Sequence, residues 1–328
     1  MKCLVTGGAG FIGSHVVREL LGKGHRVVVL DDLSGGFREN VPDGAEFVAG
    51  SILDVPLLQS LFDHHGFDYV YHFAAYAAEG LSHFIKNFNY TNNVVGSINL
   101  INQAITHDIK CLVFTSSIAV YGRNQVPMVE DLTPQPEDPY GIAKYSVELE
   151  LASSRGMFGL NYVVFRPHNV FGEYQNIGDR YRNVVGIFMN QIMQDQPLTI
   201  FGDGTQTRAF SYVGDIAGPI AESAQRTETY GQVFNIGADK PYSVLEIANQ
   251  IGRLFNKTPD IRFLEARHEV QHAYSRHDKV RRYFQAPETP LETGLQRMAE
   301  WAKKHGPRAS SRFDNIEIKR NLPPIWLE

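Results

Sequence analysis

Cysteine is almost missing from this 328-residue chain, with Cys3 and Cys111 the only two. That excludes a disulfide framework and a cysteine-rich zinc site, and it makes a reducing, cytoplasmic address the expectation. A basic excess is missing too, because 31 Lys and Arg stand against 36 Asp and Glu, for a formal net charge of -5. The basic residues are scattered, so no nucleic-acid partner is expected and any anion must be gripped locally. No apolar run reaches the roughly 18 residues of a membrane span, and the N-terminus lacks the basic, apolar and small-residue regions of a leader. No membrane partner is expected. The chain has 12 histidines, among them His64, His65, His268 and His272. None forms a His-x-x-x-His with a third ligand on a helical stretch, so no metal centre is expected. Internal repeats and low-complexity linkers are absent. A hydrophobic content of 43% with 20% charged residues leaves a globular chain with room for one large or two modest domains.

The first segment present is Lys2-Cys-Leu-Val-Thr6, which reads as a buried parallel strand. It runs into Gly7-Gly-Ala-Gly-Phe-Ile-Gly13, after which Ser14 to Leu21 has helical periodicity. Strand, glycine loop and helix form the setting in which glycines allow a tight turn and close backbone approach, and a helix N-terminus offers free N–H groups to a pyrophosphate. Gly7, Gly10 and Gly13 carry the spacing, and a purely structural turn is the alternative. The next strand, Arg26-Val-Val-Val-Leu30, ends in Asp31-Asp32. That is about 20 residues on, where an acid meets ribose hydroxyls and repels a 2′-phosphate. NAD is therefore expected over NADP. Further strands at Glu46–Ala49, Tyr69–Phe73, Cys111–Thr115 and Gly159–Arg166 alternate with helix-like stretches, which predicts an α/β fold with a doubly wound parallel sheet. Loops beyond the carboxyl ends of its strands then converge on one crevice.

Tyr140 and Lys144 lie at i and i+4 in Pro139-Tyr-Gly-Ile-Ala-Lys144, on one face of a predicted helix. A phenol beside an ammonium suits proton removal from a substrate hydroxyl, because the positive charge favours the phenolate. A half-buried Tyr and a solvated Lys on an amphipathic helix is the alternative.

Glycines, acid, serine and Tyr-x-x-x-Lys in this order resemble the extended short-chain dehydrogenase/reductase family, and within it the nucleotide-sugar epimerases. The matching segments are Thr6–His15, Leu30–Ser34, His72–Ala75, Asn92–Val94, Thr115–Gly122, Pro139–Lys144 and Phe201–Arg208. The resemblance implies a catalytic group of Ser117, Tyr140 and Lys144 and a tightly held NAD. It also implies a Rossmann domain over 1–170, to which some later segments return, and a smaller C-terminal substrate domain over 171–328. Phe11, Ile12, Asp31, Asp32, Ser34, Phe73, Ala74, Ala75 and Asn92 fall where such enzymes contact the cofactor. So do Ser51 and Ile52, with Ser51 where relatives carry an Asp. Asn169, Asn183 and Arg208 are implied at the substrate diphosphate, Arg267 at the uridine end, and a homodimer through the helices around 93–107 and 140–156.

Two omissions narrow the reaction within that family. The 4,6-dehydratases carry Thr-Asp-Glu where this chain reads Ser116-Ser117-Ile118, and 3,5-epimerases place a cysteine where this chain has Ala119. Redox inversion at one carbon remains, which points to a UDP-sugar 4-epimerase acting on UDP-glucose and UDP-galactose. A sugar-nucleotide dehydrogenase or reductase, or a non-catalytic binder, is the alternative class. On the sugar, Tyr274 is a candidate block to an N-acetyl group, and Arg180 and Arg182 are candidate partners for a glucuronate carboxylate. The Pro-broken C-terminus reads as a tail that Trp326 anchors either to the body or to a partner.

Overall fold

A computed structural model describes residues 1–123, 126–266, 270–310 and 312–326. Arg267 and His268 lie outside the described residues. The strands are β1 (Lys2–Thr6), β2 (Arg26–Asp31), β3 (Glu46–Ala49), β4 (Tyr69–His72), β5 (Cys111–Thr115) and β6 (Tyr162–Pro167). The helices are α1 (Phe11–Gly22), α2 (Val55–His65), α3 (Glu79–Ser82), α4 (Lys86–Tyr90), α5 (Gly96–Thr106), α6 (Pro139–Phe158), α7 (Val184–Met193) and α8 (Val213–Ser223). With Gln232–Ile236 at one edge, the seven strands form one parallel sheet in the order Gln232–Ile236, β6, β5, β4, β1, β2 and β3. The chain switches direction of travel between β1 and β4, which is where a ligand crevice opens in such a sheet.

Side chains alternate faces along each strand, and the core follows that period. Cys3, Val5, Val27, Val29, Val113 and Val163 pack with Val16, Val17, Ile216 and Ile220 of α1 and α8 on one face. Leu4, Val28, Leu30, Leu112 and Val164 pack with Leu58, Leu100 and Val147 of α2, α5 and α6 on the other. Each such buried side chain contributes about 1.5–3 kcal/mol. The first core continues into Phe188, Ile247 and Met298, so residues beyond 170 share apolar packing with the sheet. α8 also packs on α1.

Two element boundaries differ from expectation. The strand predicted from Gly159 starts at Tyr162, because Gly159 adopts φ 76° and terminates α6 with its N–H on Arg155 O. The helix predicted from Asn93 opens with a π turn, Thr91–Val95, before α5. The tail is anchored to the body: Trp326 is 6% exposed and packs with Ala78, Leu81, Ile85 and Tyr181. Among the described residues no helix is long and apolar enough to cross a membrane.

Candidate active site

A cleft of about 2020 Å³ runs along the carboxyl ends of the strands. Drug-sized ligands occupy roughly 300–1,000 Å³, so this space suits more than one small molecule. Gly7, Gly10, Phe11, Ile12, Gly13, Asp31, Asp32, Ser34, Ser51, Ile52, Phe73, Ala74, Ala75 and Asn92 all line it. Ser117, Tyr140, Lys144, Asn169, Asn183 and Arg208 line it as well.

The cofactor end is a backbone cradle. Gly7 sits at φ 73°, and a Cβ there would come within 2.5 Å of Ala74 N. At Gly13 a Cβ would meet Gly7 O at 2.2 Å, so only glycine lets α1 start this close to β1. Gly10 caps α1 without a side-chain hydrogen bond, leaving first-turn N–H groups open to an anion. Asp31 accepts from Ala9 N at 2.9 Å and Leu33 N at 2.8 Å, which ties the tip of β2 to the glycine loop. Burial raises its pKa, and these N–H donors oppose the rise. Behind the loop a buried chain fixes the strand ends. Ser97 donates to Asn93 O at 2.7 Å and so accepts from His72 Nε2 at 2.8 Å. His72 Nδ1 then accepts from Thr6 Oγ1 at 2.8 Å. Burial, with the Lys144 charge, pushes His72 down to about 3 and keeps it neutral.

The reactive end is built on α6. Asp138 caps the helix by accepting from Gly141 N at 2.8 Å, with Pro139 at its first position. One turn apart, Tyr140 is 8% and Lys144 4% exposed, so the solvated-lysine alternative does not hold. Lys144 Nζ donates to Thr115 O at 2.8 Å and stands 4.7 Å over Phe114. Burial pushes Lys144 down to about 7, while Glu148 one turn further on opposes the fall. Glu148 is itself held by Arg166, whose Nε and Nη2 reach its two oxygens at 3.0 and 2.5 Å. Ser117 caps the short turn Ile118–Tyr121 by accepting from Ala119 N at 3.1 Å, and its hydroxyl lowers the pKa of the Tyr140 phenol.

The electrostatics differ from expectation at one point. Burial raises the Tyr140 phenol well above its ordinary value, and the Ser117 hydrogen bond and the Arg182 charge counter it only in part. Lys144 Nζ lies 5.8 Å over the Tyr140 ring, not at its oxygen, and burial weakens its own hold on a proton. The phenol therefore holds its proton in this geometry.

Other expected contacts resolve unevenly. Asn183 caps α7 by accepting from Val185 N at 2.9 Å and donates to Val170 O at 2.7 Å, so both ends of its amide hold backbone. Arg208 donates to Val270 O at 2.6 Å and Gln271 O at 3.0 Å. Arg180 donates to Ser310 Oγ at 2.9 Å and Ile325 O at 3.3 Å, which commits it to the tail. Arg182 forms an ion pair with the buried Asp179 at 2.9 Å and stacks 5.2 Å over Tyr76. Both arginines line the cleft, Arg180 with hydrogen bonds to the C-terminal segment and Arg182 with its Nε on Asp179. Of Ala273 and Tyr274, it is Ala273 that lines the cleft.

Sequence reasoning missed Glu79. It lines the cleft at the first position of α3, the element after β4, and its charge raises both Asp138 and Tyr140. The signal was available, since the crevice rule applies to every loop at a carboxyl strand end. Thr115 Oγ1, Ser116 Oγ and Gln175 Oε1 are buried without a protein partner among the described residues, and all three residues line the cleft. Orphaned polar atoms beside a backbone cradle fit a polar ligand such as a dinucleotide.

Comparison with known proteins gives a consistent picture. The profile of the NAD dependent epimerase/dehydratase family matches residues 3–237. A UDP-glucose 4-epimerase of Lactobacillus helveticus is 37% identical over 264 residues, covering 75% of this chain and 79% of that protein. The crystal structure of the Thermotoga maritima UDP-glucose 4-epimerase with UDP-glucose superposes with a TM-score of 0.88 at 33% identity, covering 93% of this chain and 99% of that one. A UDP-glucuronic acid 4-epimerase from Bacillus cereus, in complex with UDP-glucuronic acid and NAD, superposes at 0.85 with 30% identity, covering 93% of this chain and 100% of that one.

Proposed function

The chain belongs to the NAD dependent epimerase/dehydratase family and is an enzyme with NAD as its cofactor, and on that premise we propose that it is a UDP-sugar 4-epimerase acting on a UDP-hexose of the glucose/galactose type. The observation that carries the reading is the meeting of Ser117, Tyr140 and Lys144 in the cleft that also holds the glycine cradle, with Ile118 and Ala119 where an acid or a thiol would stand.

NAD would rest on Gly7, Gly10 and Gly13, with Asp31 and Asp32 toward its adenosine ribose and Lys144 toward the other. When bound, it supplies reversible hydride acceptance from a substrate carbon. Tyr140 exchanges a proton with the C4 oxygen, and Ser117 hydrogen-bonds the same oxygen and orients it. Burial makes the phenol a weaker acid, so before it takes the C4 hydroxyl proton it must release its own, and the neutral phenol it then becomes returns that proton to the ketone oxygen. Arg182 and a protonated Lys144 are the charges that favour the reverse transfer. A 4-keto sugar that turns over in the chamber and regains its hydrogen on the other face leaves with C4 inverted. The hydrogen bonds of Arg180 to Ser310 and Ile325 favour a neutral hexose over glucuronate.

The reading extends to a homodimer. Val95, Ile142 and Leu149 are 50%, 39% and 54% exposed, and the last two lie seven residues apart on one face of α6.

The test incubates purified protein separately with UDP-glucose, UDP-N-acetylglucosamine and UDP-glucuronate and resolves the products by NMR. UDP-galactose from UDP-glucose is the expected product, and no C4 inversion with any substrate defeats the proposal. Because Glu79 and Asp138 bring carboxyl groups near Tyr140, the same spectra are read for a 4-keto-6-deoxy sugar, which would move the assignment to dehydration.

A further inference from the structure

Residues 312–326 lie outside every strand and every α-helix, yet Ile318, Arg320, Asn321, Leu322, Pro324 and Trp326 line the same cleft as Tyr140. The segment is fastened to both walls of that cleft. On the cofactor side, the Glu317 carboxylate accepts from Asn87 N and Phe88 N, each at 2.8 Å. The N–H groups of Glu317 and Ile318 donate to Phe84 O at 2.9 and 3.1 Å. Phe313 packs edge-on against Phe88, with ring centroids 4.9 Å apart. On the opposite side, Phe313 N donates to the Tyr181 hydroxyl at 3.2 Å, and Ile325 O accepts from Arg180 at 3.3 Å. Trp326 touches both walls, with ring centroids 6.0 Å from Phe84, 5.4 Å from Tyr181 and 6.3 Å from Phe201.

A chain held by paired backbone hydrogen bonds at one edge and a buried indole at the other does not yield as a loose tail would. The solved relatives are covered over 99% and 100% of their lengths but only 93% of this chain, so part of this chain has no counterpart in them. The family profile stops at residue 237, well short of the segment.

We propose that residues 312–326 are a strap that forms the outer wall of the substrate chamber and selects among sugar nucleotides by setting its size, with Trp326 as the anchor that bounds the ligand. The proposal rests on the reading of the cleft as a UDP-sugar site. A wall fixed at both edges rejects a larger ligand sterically, which is how a chamber discriminates between substrates that share most of their contacts. The strap also holds α4, whose Phe88 O accepts from Asn92 at 2.9 Å, so it stabilises the cofactor side as well as the sugar side.

The chain has 2 tryptophans, so Trp301→Phe leaves Trp326 as the only tryptophan, excited selectively at the red edge where the tyrosines do not absorb. In that variant, UDP and then UDP-glucose are titrated while emission is followed. Saturable change at the affinity measured by calorimetry is expected, and no change overturns contact between strap and ligand. A chain ending at Ser310 is expected to keep its NAD content, bind UDP-glucose at least tenfold more weakly and turn over a wider range of UDP-sugars. Unchanged affinity and unchanged sugar range in a folded truncated protein overturn the proposal. If truncation prevents folding, Trp326→Ala decides: a raised KM with unchanged NAD content, restored by Trp326→Phe, supports the strap, and an unchanged KM removes it. A full-length protein that binds no UDP removes the reading of the cleft and the strap together. One that binds UDP no better than its truncated form removes the strap alone.

Discussion

The cofactor side of the cleft is made largely of backbone, whereas the sugar side is made of side chains drawn from distant segments. On the first side the critical atoms lie within one loop-helix-strand stretch, Gly7 to Asp31: Gly7 O under Gly13, Ala9 N on Asp31, and the open N–H groups of α1. On the second, Tyr140, Arg182, Glu79 and Trp326 come from four separate stretches and meet only through packing. A backbone cradle tolerates almost no added volume but is indifferent to pH. A side-chain chamber can absorb a substitution sterically, yet every change of charge is felt, because its members are buried and unevenly compensated. Two cations on the reactive side show the point. Arg166 has both oxygens of Glu148, while Lys144 has one carbonyl and is pushed down to about 7.

Four substitutions probe that contrast. Tyr140→Phe removes the phenol proposed to exchange the C4 proton and should cut epimerisation about 1,000-fold, roughly 4 kcal/mol of barrier. NAD content and melting temperature should stay near wild type, and substantial residual turnover would remove Tyr140 from proton transfer. Glu148→Gln leaves Arg166 without its counter-charge and should cost about 3 kcal/mol in denaturant unfolding. A carboxylate near an ammonium favours the charged form, so its loss makes Lys144 release its proton below about 7. The alkaline limb of the pH–rate profile should then move to lower pH, and an unmoved limb would show that Glu148 acts on stability alone.

Gly13→Ala tests the backbone side. Its Cβ would lie 2.2 Å from Gly7 O, so the loop must shift, at about 1–3 kcal/mol, with NAD lost from the purified protein and no change in the pH limb. Retained NAD would show that the cradle is looser than its geometry indicates. Arg180→Ala should have the smallest effect. It removes two part-exposed hydrogen bonds to Ser310 and Ile325, about 1 kcal/mol in sum, and its consequence should appear as a modest rise in KM for the sugar nucleotide.

Much of the cofactor side was legible because its determinants are local. Strand, glycine spacing and the acid closing β2 stand in about thirty consecutive residues, and steric rules for glycine translate that order into a turn. The parallel sheet was legible from apolar runs, although β6 begins later than expected because Gly159 ends α6 in a left-handed conformation. Tyr140 and Lys144 were legible as one helix face, but their electrostatics were not. The expectation that Lys144 supports a phenolate took no account of burial, which raises Tyr140 and lowers Lys144. Glu79 was missed, and the hydrogen bonds of Arg180 to Ser310 and Ile325 were not legible, because the partners lie more than a hundred residues away in the chain.

By itself, then, the sequence determined the order of strands and helices, the glycine cradle and the placing of Tyr140 and Lys144 on one helix face, since helical and strand periods and glycine sterics act over a few residues. The tertiary structure decided what those side chains feel: the desolvation of Tyr140 and Lys144, the pairing of Glu148 with Arg166, and the closing of the chamber by residues 312–326. Burial and long-range charge depend on which surfaces meet, and surfaces meet only when segments far apart in the chain are folded against one another.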